Sequence, residues 1–172
     1  MSIIMELFKR SQAKSTMLDD NDFWEIIDCV DHDYGGDSEA VISSLIRHLK
    51  NCEDDYIFAF DDKLSEFIYA LDGKCWADGL FGNEEFSEDK FLSARCAAIA
   101  GGKNHYFAIV DHKAELDADS LHFHHGRWYA CTDGLLTAAK IAWSRKHLED
   151  ISKYPHNTKY PTKSHSNEDM WK

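Results

Sequence analysis

The chain has 172 residues, 44% of them hydrophobic and 13% aromatic, and carries a net charge of −12 from 31 acidic and 19 basic side chains. This length and apolar content suit one domain with a real core, and no apolar run approaches the roughly 20 residues of a bilayer span. The acid excess argues against nucleic acid as a partner, because that binding rests on Lys and Arg neutralising phosphates.

In MSIIMELFKRSQAKS, Lys9 and Arg10 follow the apolar patch. A secretory signal has the reverse order, so residues 1–18 are expected to be a partly ordered N-terminal segment of a cytoplasmic protein. DDNDFWEIIDCVD predicts a first helix, with Asp20 or Asn21 as N-cap and Phe23, Ile26, Ile27 and Val30 at helical spacing. Gly35 and Gly36 then break the chain. From Ser38, Val41, Ile42, Leu45, Ile46 and Leu49 form an apolar stripe. A third helix is predicted over 53–71, with Ile57, Phe60, Leu64, Phe67, Ile68 and Leu71 inward. Asp54, Asp55, Asp61, Asp62 and Glu66 are expected to lie mostly outside that stripe.

DGKCWADGLFGNEEF is less regular, with glycines at 73, 79 and 82. Ser87 suits an N-cap, and Glu88 and Asp89 suit the positive end of the helix that follows. That helix carries Phe91, Leu92, Cys96, Ala97 and Ile99 and stops at Gly101-Gly102. HYFAIV, 105–110, is read as a further helix, although its composition also fits a strand. After a loop around 115–126, WYACTDGLLTAAKIAWSRKHL predicts the last helix on Tyr129, Leu135, Leu136, Ala139 and Trp143. Residues 151–172 hold both prolines and almost no aliphatics, which predicts a flexible polar tail. The expected architecture is all-α: a compact single-domain bundle of about six or seven helices, with the helical domain over 19–150.

FWEIID and the stretch IYALDGKCWADGLFGNEEFSEDKFLSARCAAIAGGKNHYFAIV resemble the bacterial domain of unknown function 4240. The matching residues are Phe23, Trp24, Ile27 and Asp28, then Trp76, then Glu88, Asp89 and Phe91, with Gly101 or Gly102 closing. WYACTDGLLTAAKIAWSRKH resembles the family's last helix, and the resemblance spans about 20–150. These are mainly packing residues, so the resemblance implies a fold and no chemistry. The chain departs from the family pattern at Ser93-Ala94-Arg95-Cys96, where an aromatic-basic-x-Trp helix is usual.

The motifs that carry chemistry are missing. His122, His124 and His125 crowd one loop, but helical zinc ligands need i, i+4 spacing and no further ligand is nominated. Asp31 and Asp33 begin no EF-hand, because position twelve is Ile42. Cys29, Cys52, Cys75, Cys96 and Cys131 are widely spaced with no CxxC, which predicts reduced, mostly buried thiols. There is no serine elbow, Walker loop or dinucleotide fingerprint. Glu25 and Asp28 share a helix face, and Asp28 is expected to tuck against Trp76 and serve structure. No cofactor, no metal and no enzymatic activity are expected.

Charge is the remaining signal. Residues 19–100 hold 21 acidic against 6 basic side chains, whereas 1–18 and 151–172 are each +2. An anionic body favours a basic protein partner and speeds encounter with it. The expected function is an immunity-type binding protein that neutralises a basic toxin domain, most simply a nuclease, by occluding its cleft. The expected contact residues are Asp54, Asp55, Asp61, Asp62, Glu84, Glu85 and Glu88. The alternatives are a regulatory or scaffold module with flexible basic arms, or an enzyme with a site around Trp24, Asp28, Trp76 and the histidines.

Overall fold

Asp19 starts the first helix, α1 (Asp20–Ile27), by accepting a hydrogen bond from the Asp22 N–H at 2.9 Å. The cap thus falls one residue before the expected Asp20, because Asp19 has the extended backbone that lets a short carboxylate reach back. The computed structural model describes residues 18–30, 38–116 and 132–172. The histidines at 122, 124 and 125, Asp31, Asp33, Tyr129 and Cys131 lie outside the described residues, as does most of the N-terminal segment.

Helices α2 (Ser38–Lys50) and α3 (Asp54–Ala70) follow the predicted stripes. Val41, Ile42, Leu45, Ile46 and Leu49 are all buried, and so are Ile57, Phe60, Leu64, Phe67 and Ile68. The irregular stretch contains a short helix, α4 (Lys74–Phe81), that ends at Gly82, whose φ of 53° favours glycine. Ser87 caps α5 (Glu88–Ala100) as expected, accepting from the Lys90 N–H at 3.3 Å. Gly102, at φ 86°, makes the break before α6 (Lys103–Val110), so HYFAIV is helical. The last helix, α7 (Thr132–His147), packs most extensively on α2 and also touches α5 and α3. Among the described residues there are seven α-helices and no strand.

The core joins these helices through an aromatic cluster. Phe23, Trp24, Phe60, Phe67 and Tyr106 are all buried, with Phe23 and Phe60 stacked at 5.4 Å and Trp24 4.9 Å from Phe67. Each ring of this size removes on the order of 150–250 Å² from water, so the cluster dominates the apolar stabilisation. Tyr106 also donates its hydroxyl to the Phe67 carbonyl at 2.8 Å, which ties α6 to α3.

The C-terminal segment departs most from the sequence reading. Residues 151–172 are not a loose tail but a strap that returns across α3, α5 and α4, with 3-10 turns at Ile151–Lys153 and Glu168–Trp171. Polar contacts and aromatic stacking hold it. His156 stacks on Phe58 at 4.9 Å, and Tyr160 lies 5.2 Å from Tyr69.

Candidate functional site

The strap is held at a pair of charges that the helices bury. Asp72, in the turn between α3 and α4, and Arg95, in α5, are both 0% exposed, with the guanidinium 3.9 Å from the carboxylate. Burying an ionic pair is costly, and hydrogen bonds from the surrounding chain offset part of that cost. Asp72 accepts from three successive backbone N–H groups, those of His165, Ser166 and Asn167, at 3.1, 2.8 and 3.0 Å. A fourth bond comes from the Trp171 indole N–H at 2.9 Å. Arg95 donates to the Ile68 and Thr162 carbonyls and to the Ser164 hydroxyl. Burial pulls the Arg95 pKa down, while the Asp72 charge acts the other way. His165 stands at φ 65°, the left-handed conformation that turns successive N–H groups toward one anion. Arg95 and Asp72 escaped the sequence reading because an isolated charge in a helical pattern looks like a solvated one.

Beside this anchor lies a groove of about 430 Å³. Phe81, Phe86 and Trp171 supply its apolar surface, and Asp78, Glu84, Lys74 and His165 its polar edge. Phe86 is 38% exposed although it packs against Phe81 and Trp171, so the groove keeps an aromatic face open to water. Glu85, Glu88 and Asp89 are exposed along the same loop and the start of α5. Glu84 pairs with Lys90 at 3.2 Å, an exposed contact of little energetic weight.

The seven acids expected to meet a partner fall into four environments. Glu84, Glu85 and Glu88 lie together by the groove, with Glu88 also accepting from the Ser164 N–H at 3.3 Å. Asp55 is exposed on α3. Asp54 and Asp62 are already engaged within the chain. Lys146 and His147 both bond Asp54, at 2.7 and 2.9 Å. Partial burial would raise the Asp54 pKa, but those hydrogen bonds and charges outweigh it and hold the carboxyl below its usual range. Asp62 accepts from His156 at 2.9 Å and from the Lys159 backbone N–H at 3.0 Å. Asp61 corrects the expectation outright. It is 4% exposed, so it presents nothing to a partner, and burial pushes its pKa up. The neighbouring Tyr154 hydroxyl is itself pushed up by burial and by the Asp61 charge.

One further expectation is corrected. Asp28 is exposed at the end of α1 beside Gly102, whereas the Trp76 indole donates to the Ile109 carbonyl and stacks on His112 at 5.6 Å. The carboxylate and the indole therefore have different neighbours. Cys75 is exposed, while Cys52 and Cys96 are buried, and none of the four described cysteines forms a disulfide, in line with the expected thiols. Among the described residues no group of His, Cys, Asp or Glu gathers as metal ligands, and no helix is long and apolar enough to cross a membrane.

Comparison with curated proteins and with solved structures returns no match. The family model described as "Protein of unknown function (DUF4240)" matches residues 18–145, which takes in the helices up to the last two residues of α7 and leaves out the strap. With a match over that much of its length, the chain belongs to the DUF4240 family.

Proposed function

We propose that this chain is an anionic protein-binding module that docks a basic partner at the groove beside α4. In its specific form the partner is a toxin domain, most simply a nuclease, whose cationic cleft the groove's acidic edge occludes. The observation that carries this reading is the exposed aromatic face of Phe86 set among Asp78, Glu84, Glu85, Glu88 and Asp89. An apolar centre inside a charged rim is the usual anatomy of a specific interface. The charges steer encounter, and the aromatic ring contributes affinity once water is expelled.

The test begins with capture from the source organism, using the full chain as bait, and identification of the most tightly retained basic protein. Stopped-flow association of that protein is then compared between the chain and its Glu84→Lys/Glu85→Lys variant. The association rate is expected to fall about tenfold or more at low salt and to change little at high salt. A captured partner without basic character, or a rate that ignores the charge reversal, defeats the reading.

A further inference from the structure

Four hydrogen bonds from ten residues of strap converge on one buried carboxylate, which is how a protein holds a peptide ligand rather than how helices pack. We infer that the anchor formed by Asp72 and Arg95, beside that groove, is a peptide-binding site whose built-in ligand is the chain's own segment 162–171. The class of ligand it takes is a peptide that turns at the first of three successive free N–H groups and carries an indole in a 3-10 turn four residues beyond the last of them. This inference goes beyond the acidic-groove reading and does not depend on it.

Three observations carry it. First, the hydrogen bonds made to Asp72 among the described residues all come from the strap. Second, the anchor that receives them is built within the family-matched region, from α5 and the turn between α3 and α4, while the ligand segment lies outside that match. Third, the anchor is shaped for close approach. A Cβ at Gly73 would sit 3.0 Å from Met170 Cβ and 2.9 Å from the Trp76 ring, so the peptide and the start of α4 meet where only a glycine fits. Binding is by backbone N–H groups to a fixed anion, with Trp171 bonded to Asp72 and stacked on His165 at 3.7 Å. A proline at residue 165, 166 or 167 would remove one donor, and both prolines of the chain lie upstream of them.

Tethering keeps the site filled, because a ligand on a short linker has an effective concentration of order millimolar. A competing peptide therefore binds the uncut chain far more weakly than a chain whose tether has been opened. The measurement uses the full chain with one site-specific protease sequence inserted after Leu148, which is 91% exposed. After cutting, the probe is a fluorescently labelled synthetic peptide of residues 155–172, followed by anisotropy, with far-UV circular dichroism on the same samples. The cut segment is expected to stay bound on gel filtration and to exchange with the labelled peptide while the helical signal is unchanged. A Trp171→Ala peptide should bind about tenfold more weakly, from loss of the indole bond and its stacking. A scrambled peptide should not bind. Two results overturn the inference: a cut segment that leaves and never rebinds, with the body still helical, or a body that loses its helices when the segment leaves. The second result makes the strap part of the fold and not a ligand. Neither result bears on the Glu84/Glu85 rate test.

Discussion

The helical body and the strap are built on opposite principles. In the body, α2 buries five aliphatics along one stripe and α3 contributes Phe60 and Phe67 to the aromatic cluster, so water exclusion does most of the stabilising. The strap has one buried residue, Ser164, and is held by charge-assisted hydrogen bonds to a buried acid. Apolar packing tolerates sliding and repacking, whereas bonds to one carboxylate fix register residue by residue. The strap is thus the more specific region, and the more easily lost.

The largest expected effect comes from breaking the anchor. Arg95→Ala leaves Asp72 enclosed without its counter-charge, a change that typically costs about 3–5 kcal/mol. Amide hydrogen exchange would follow both regions at once. The His165, Ser166 and Asn167 amides should approach free-peptide rates while those of α2 and α7 keep their protection relative to one another. Equal loss of protection in body and strap would erase the distinction between them.

The same contrast governs what the sequence disclosed. Periodicity placed α2 and α3 within a residue or two, because a stripe at 3.6-residue spacing is a direct record of what faces the core. Ser87 and Gly102 were legible as punctuation for the same local reason. The strap was not legible, since its partners lie 67 to 99 residues away and its own residues are mostly polar. Composition says that such a segment cannot build a core, but it cannot say that a buried carboxylate is waiting for its backbone. Asp61 misled in the opposite direction. It sits one residue after the inward Phe60, on the edge of the α3 stripe, and Tyr154 from the strap side comes over it. The candidate groove was half visible: its acids were named from charge density, while Phe81, Phe86 and Trp171 were not, because only the strap brings Trp171 to α4.

Asp61 gives the next largest effect, with the opposite sign. Its carboxylate is enclosed, with the Tyr154 hydroxyl close enough to offset part of the cost of burial. Burial holds its pKa above the ordinary 3.8, so the folded chain binds this proton more readily than the unfolded chain does. The stability it contributes is complete below the unfolded value and is lost as pH rises through the folded one. Asp61→Asn removes the charge that must otherwise be desolvated at neutral pH. The variant is expected to be more stable by about 1–3 kcal/mol at pH 7 and to gain little at pH 4. Urea midpoints at the two pH values read the difference directly. An equal gain at both would mean that the carboxylate is not the group being relieved.

The smallest expected effect, and the sharpest for the comparison, lies at the start of α5. The Ser87 hydroxyl accepts from Lys90 at a long 3.3 Å, so Ser87→Ala should cost only about 0.5–1 kcal/mol. Its consequence is local. Fraying the first turn of α5 moves Glu88, which receives the Ser164 N–H, but leaves Arg95 two turns further in. Exchange at the Ser164 amide should therefore quicken while the amides bound to Asp72 keep their protection. If those amides quicken equally, the strap opens as one unit from its weakest contact. If they do not, Asp72 holds residues 165–167 independently of the cap, as four bonds to one enclosed carboxylate require.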